Sequence, residues 1–217
     1  MKERIGVFGG TFNPIHEGHL KAAQAAQKVF LLKKVLFIPS YVPPHKGSSE
    51  IASPYHRLKM VELAVSPYPQ FVASPVEIEA KGTSYSIRTL SRIKQVYPDS
   101  WVFFILGVDA FLEIETWKDY ERLLEQCHFI VISRPGYRLK DAKDILGGRY
   151  ARKMLELSGE DKVPEKHVRR FTIFLMSFPA LDTASHELRQ KIRNRESIAG
   201  QVAGPVEKYI NQHNLYQ

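Results

Sequence analysis

The sequence predicts an α/β fold: a doubly wound, mostly parallel sheet with helices on both faces. Three observations carry the prediction. Short continuous apolar runs, among them Ile5-Gly6-Val7-Phe8, Val35-Leu36-Phe37-Ile38 and Trp101-Val102-Phe103-Phe104-Ile105-Leu106, read as strands buried on both faces. Segments with apolar residues at helical spacing fall between them, so strand and helix alternate. No repeat, low-complexity tract or linker interrupts the 217 residues, which are expected to form a single domain with a small helical part from about residue 184.

Each element has its own signal. The first strand stops at Gly9-Gly10, and from about His19 to Leu32 the residues Leu20, Ala23, Ala26 and Phe30 share one helical face. Pro39 ends the second strand. Ser40 to Ser53, with Pro43-Pro44 and several small polar residues, reads as a loop. Ser53-Pro54 offers an N-cap and a first-turn proline to a helix carrying Leu58, Val61 and Val65. Phe71 to Glu79 suggests one or two short strands, the alternation of Val76 and Ile78 favouring an edge. Ile87, Leu90 and Ile93 are in phase for a helix from Ser84 to Tyr97. After the strong strand at Trp101, a helical stretch around Tyr120 to Glu125 leads into the strand Phe129 to Ile132. Pro135 to Val168 is charged and weakly helical around Gly147-Gly148. Phe171 to Leu175 reads as a late strand, followed by helices near Ser185 to Asn194 and Val206 to His213.

Composition narrows the function classes. A single cysteine, Cys127, excludes an intrachain disulfide framework and suits a reducing compartment. No apolar run has the length of a signal peptide core or a membrane span, so the expectation is a cytoplasmic protein without membrane contact. The net charge of +8 points to an anionic partner. The basic residues are scattered, apart from groups at His167 to Arg170 and Arg189 to Arg193, so charge alone does not choose between nucleic acid, a membrane surface and a phosphorylated small molecule. No motif of a recognised nucleic-acid-binding module appears.

The chemically informative segment is Gly9-Gly10-Thr11-Phe12-Asn13-Pro14-Ile15-His16-Glu17-Gly18-His19-Leu20. It lies where the first strand gives way to the first helix, the carboxyl edge at which open α/β sheets bind ligands. Glycines there let the backbone approach a phosphate, and a helix N-terminus favours an anion. His16 and His19 lack the spacing of a metalloprotease helix, and no other residue completes a metal set, so no metal ligand is assigned in the chain. A phosphate-loop lysine and the three spaced glycines of a dinucleotide fingerprint are both missing.

What remains, two imidazoles flanking a variable residue and a glycine, resembles the signature of the nucleotidyltransferase superfamily, a Rossmann-like fold. Further segments in order resemble the bacterial nicotinate-nucleotide adenylyltransferase family over most of the chain: Pro43-Pro44-His45-Lys46, Ser84 to Leu90, Gly107-Val108-Asp109 through Thr116-Trp117, and Ser133-Arg134-Pro135-Gly136-Tyr137. The resemblance implies adenylyl transfer from ATP to nicotinate mononucleotide. The alternatives are another small-molecule adenylyltransferase, acting on nicotinamide mononucleotide or phosphopantetheine, and a non-catalytic nucleic-acid-binding domain.

The resemblance also implies roles. His16 and His19 would be catalytic, beside the reacting phosphates. Gly9, Gly10, Thr11, Phe12, Gly107, Asp109, Ser185 and Arg189 would bind ATP, the last two holding its β- and γ-phosphates. His45, Lys46, Ser84, Tyr85, Trp117 and Arg134 would bind the mononucleotide. Mg²⁺ would accompany ATP, the oligomeric state stays open, and neither nucleic acid nor membrane is a partner. The chain departs from the family pattern at Arg88, where an acidic residue is usual, and at Ala184 and His186, where a serine and a threonine are usual.

Overall fold

Seven strands form one sheet in the order β3-β2-β1-β4-β5-β7-β6. They are β1 (Arg4–Gly10), β2 (Lys34–Pro39), β3 (Phe71–Ala73), β4 (Trp101–Gly107), β5 (His128–Ile132), β6 (Met154–Leu157) and β7 (Ile173–Met176). The structure is a computed structural model and describes residues 2–43, 51–157, 162–170, 172–178 and 183–217. β4 pairs in parallel with β1, Ile105 opposite Phe8, and with β5, Ile105 opposite Ile130. β7 lies parallel between β5 and β6. The strand order reverses between β1 and β4, the topological switch of a doubly wound sheet. The continuous apolar runs have the expected cause: β5 and β7 are buried at every position.

The helices are α1 (Glu17–Phe30), α2 (Pro54–Val65), α3 (Val76–Ala80), α4 (Ser86–Val96), α5 (Val108–Leu112), α6 (Tyr120–Gln126), α7 (Asp141–Ile145), α8 (Gly147–Ala151), α9 (Glu165–Arg170), α10 (Ser185–Arg193) and α11 (Gly204–Gln212), with a 3₁₀ turn at Ile114–Thr116. Packing divides the chain into two compact units. The first holds β1 up to Phe8, most of α1 and the segment from Tyr85 through β7. Its core centres on Phe103, Phe129 and Phe174, with Ile87, Leu90 and Ile93 buried along α4. The second holds the β1–α1 turn, β2 from Leu36, α2, β3, α3, α10 and α11. There α11 packs on α2, and Val206 and Ile210 are fully buried.

The structure corrects the sequence reading in several places. Val76 to Ala80 is a short helix, not an edge strand. Only Ile78 is buried there, so the alternation had no second core residue, and Glu77 and Glu79 suit a helix first turn. On α2 the buried stripe is Arg57, Met60, Val61, Ala64 and Val65, one residue out of phase with Leu58, which is half-buried. The cap itself is as expected: the Ser53 hydroxyl accepts from the His56 amide at 3.3 Å. β6 arises inside the charged stretch, where four residues with one exposed glutamate give little periodic signal. The first helix starts at Glu17 rather than His19.

Candidate active site

In the second unit, β1 hands the chain to a turn over residues 11–16 that is buried from Phe12 to His16. Phe12 has φ 48°, a left-handed conformation that costs a non-glycine residue roughly 1 kcal/mol or more and persists only when neighbours enforce it. They do so through the backbone. The fully buried Arg57 guanidinium donates to Thr11 O (2.8 Å), and also to Ala52 O (2.9 Å) and Tyr41 O (3.1 Å). Arg189 Nη1 donates to Asn13 O at 3.0 Å, and Ser185 Oγ to Pro14 O at 3.0 Å. The Asn13 side-chain oxygen accepts from the Ala52 amide (3.0 Å) and the Tyr216 hydroxyl (2.8 Å). Glu17 N–H, at the start of α1, donates to Gln201 O at 2.9 Å.

The two histidines meet on this frame. Their ring centroids are 3.7 Å apart with planes tilted by 33°. The His16 amide donates to His19 Nδ1 at 3.2 Å, which makes that nitrogen an acceptor and leaves the ring proton on Nε2. Gly18 makes room for the pair: a Cβ there would stand 2.9 Å from the His16 ring atoms Cε1 and Nδ1. The glycine of the two-histidine signature thus has a steric reason in addition to any ligand. Phe12 is a support, its ring edge-on to His19 at 5.1 Å and against Phe37 at 5.9 Å. With its side chain 2% exposed, its reach towards a ligand is through the backbone.

In the first unit, β4 ends at Gly107 and α5 begins at Val108. A Cβ at Gly107 would lie 2.4 Å from Asp109 Oδ1, so only glycine lets that carboxylate fold back on the strand end. Arg134 Nη1 donates to Asp109 Oδ2 at 2.5 Å, while Asp109 Oδ1 is buried with no hydrogen-bond partner among the described residues. Tyr85 has two cations over its ring, Lys118 Nζ at 4.8 Å and the Arg88 guanidinium at 5.3 Å from the centroid. Trp117 is half-buried and stands edge-on to Phe104 at 6.2 Å. Burial pushes the Cys127 thiol up to about 12, more than nearby Lys94 and the Phe104 backbone lower it, so it carries no thiolate at neutral pH.

The structure therefore gathers His16, His19, Thr11, Phe12, Ser185 and Arg189 into one cluster within the second unit. Gly107, Asp109 and Arg134 meet at one corner of the first, with Tyr85 and Trp117 on the same unit. Ser84 is a clasp in the second unit: its hydroxyl accepts from the Tyr41 amide at 2.8 Å and its own amide donates to Val42 O at 2.9 Å. His45 and Lys46 lie outside the described residues. Among the described residues no group of three or more histidine, cysteine, aspartate or glutamate side chains could hold a metal. Sequence reasoning missed Asn13, Arg57, Lys118 and Tyr216. Arg57 had a readable signal, a charge in phase with Met60, Val61 and Ala64 on an otherwise apolar stripe; Tyr216 had none.

Known proteins share this arrangement of chain. The cytidylyltransferase-like family matches residues 7–191. A "probable nicotinate-nucleotide adenylyltransferase" of Moorella thermoacetica is 38% identical over 99% of this chain and 92% of its own length. One from Desulfatibacillum aliphaticivorans is 40% identical over 98% of this chain and 99% of its own. The solved nicotinic acid mononucleotide adenylyltransferase of Plasmodium falciparum, in complex with NaAD, superposes with a TM-score of 0.72 at 18% identity, covering 99% of this chain and 97% of that one. The last shares the fold. The two curated relatives settle the family, and the chain belongs to the nicotinate-nucleotide adenylyltransferases of the cytidylyltransferase-like group.

Proposed function

We propose that the protein transfers the adenylyl group of ATP to nicotinate mononucleotide, giving nicotinate adenine dinucleotide and pyrophosphate, the step before NAD. The observation that carries this reading is the closely apposed His16–His19 pair on a turn whose backbone is held by Ser185 and Arg189 of α10. A phosphate oxygen of the mononucleotide attacks the α-phosphorus, one P–O bond forms, and the bond to the leaving pyrophosphate breaks. The nucleophile is already anionic at neutral pH, so the chain supplies no general base and no covalent nucleophile. Its task is to align the reactants and to stabilise charge as it moves onto pyrophosphate.

His19, with Nδ1 engaged by the His16 amide, presents Nε2–H as a donor to a phosphate oxygen. Ser185 and Arg189, at the start of α10, would take the β- and γ-phosphates as ATP binds, the Ser185 hydroxyl turning from Pro14 O to do so, and the Gly9-Gly10-Thr11 backbone would take the α-phosphate. The unpaired Asp109 Oδ1 is an acceptor suited to a ribose hydroxyl. ATP would enter as its Mg²⁺ complex, the ion being met mainly by phosphate oxygens and water and supplying positive charge against the departing pyrophosphate. Trp117 offers a face to the cationic pyridine ring. Lys118 and Arg88 around Tyr85 bring positive charge that favours the acid over the amide. A single buried cysteine fits an enzyme of the cytoplasm, and among the described residues no helix is long and apolar enough to cross a membrane.

The test is the ratio of kcat/KM for nicotinate and nicotinamide mononucleotides with MgATP. A preference for the acid of about a hundredfold or more is the expected result, since donors left facing an amide NH₂ are unpaired. Equal efficiency would overturn the substrate assignment.

A further inference from the structure

The second unit contains a polar network that the reaction as written does not use. It has two arms on the β1–α1 turn: Arg57 of α2 donates to Thr11 O, and Tyr216, beyond α11, donates to the Asn13 side chain. Asn13 has both of its oxygens engaged: the side-chain oxygen by Ala52 N–H and the Tyr216 hydroxyl, the carbonyl by Arg189. Tyr216 is itself held in a left-handed conformation, φ 68°, as is Asn214 at φ 48°, so the chain after α11 turns sharply to deliver one hydroxyl. Surface burial alone would not ask for this; a phenylalanine would fill the same space.

Charge supports the geometry. Burial pulls the Arg57 guanidinium down to about 10, still well above neutral pH, so it remains a cation there. Burial pushes the Tyr216 hydroxyl up, against the pull of Arg57 and Arg189, and it stays protonated as a donor. The turn that bears the strained Phe12 and the two histidines is thus fixed at Thr11 O, Asn13 O, Pro14 O and the Asn13 side chain.

We propose that Tyr216 is a positioning residue for adenylyl transfer: by donating to the Asn13 side chain it locks the turn that aims His16 and His19. This rests on the reaction proposed above. It differs from a packing role, because the hydroxyl rather than the ring carries the effect, and it acts through Asn13 rather than on the substrates.

The experiment is Tyr216→Phe in the full chain. With MgATP and nicotinate mononucleotide, kcat is expected to fall about tenfold, the worth of one buried hydrogen bond, with both KM values within about twofold. The melting temperature is expected to move by less than about 4 °C. p-Aminophenylalanine at 216, which returns an N–H donor, should recover most of the loss. Adding Tyr216→Phe to Asn13→Ala should slow the enzyme no further. A kcat within twofold of the parent, a loss confined to the melting temperature, or a full additional tenfold on Asn13→Ala would each overturn the proposal. A readout without turnover separates this from the reaction itself. In ¹⁵N NMR of the ligand-free protein, the His19 imidazole resonances should shift in Tyr216→Phe and stay put in Tyr137→Phe, a change at an exposed tyrosine. Unmoved His19 resonances would overturn the positioning role whatever the enzyme makes, whereas a parent that forms no dinucleotide would overturn only the reaction.

Discussion

His16 and His128 are equally withdrawn from solvent, 6% and 7% exposed, and the surroundings of the two rings have almost nothing in common. His128 stacks on Phe103 (4.9 Å, 29°), meets Trp101 edge-on at 5.0 Å, and directs Nε2 to the Val168 carbonyl at 2.9 Å. It behaves as an aromatic core residue whose polar atoms are met by backbone hydrogen bonds to Val168 and Val102. His16 lies on a second imidazole, on a turn fastened by Arg57, Ser185 and Arg189. Burial does not sort a structural histidine from a working one. The neighbours do: aromatic rings and a strand interior in one case, another titratable ring and a strand-to-helix turn in the other.

Three substitutions press on that difference. The largest expected effect is His19→Ala: kcat/KM should fall by about 10²–10³, the usual loss on removing one preorganised donor, with the melting temperature nearly unchanged. Unfolding with specific activity intact would place His19 with His128 instead. Gly18→Ala should act next most strongly. Alanine suits a helix better than glycine by up to about 1 kcal/mol, so stability should hold or rise. Yet its Cβ would stand 2.9 Å from the His16 ring and displace it, and kcat is expected to drop about tenfold, as for a misaligned donor. Steady-state kinetics beside thermal melts read both quantities.

His128→Phe should show the smallest effect on catalysis: specific activity of the folded protein within about twofold, with about 1–3 kcal/mol lost from the unpaired Val168 carbonyl. Its distinctive signature is in acid. Burial lowers the His128 pKa, Arg4 adds to the lowering, and backbone hydrogen bonds to Val168 and Val102 oppose it. The unfolded chain therefore binds the proton first. The stability contributed is present above the unfolded value of about 6.5 and is lost as pH falls from there towards the lowered folded value. Denaturant titrations at pH 7.5 and pH 5.5 should show a smaller acid penalty in His128→Phe than in the parent. An equal penalty would show that His128 does not titrate on unfolding in that range.

Much of this was legible in the chain, and the rest for physical reasons was not. Strands such as Val102 to Leu106 announce themselves because both faces are buried. The two-histidine turn announces itself because its residues are consecutive. Gly107 and Asp109 are likewise two positions apart, and their contact is visible once the strand end is known. What sequence hides is anything made by distant segments: Tyr216 reaching Asn13 across 203 positions, or Ser185 and Arg189 holding the backbone of the turn rather than simply facing solvent. Phe12 reads as part of a ligand motif, yet its ring is committed to the core. The end of Phe71 to Glu79 reads as strand because two apolar residues at alternate positions, Val76 and Ile78, fit either period in so short a segment, and the helix there is only five residues long.

The most direct test follows the phosphorus. The protein is incubated with nicotinate mononucleotide and Mg²⁺ plus ATP labelled with ³²P at either the α or the γ position, and the products are separated. Direct adenylyl transfer predicts that the α label appears in nicotinate adenine dinucleotide and the γ label in pyrophosphate, in equal amounts, with none retained on the protein. Label released as inorganic phosphate without dinucleotide, or α label bound covalently to the chain, would contradict it.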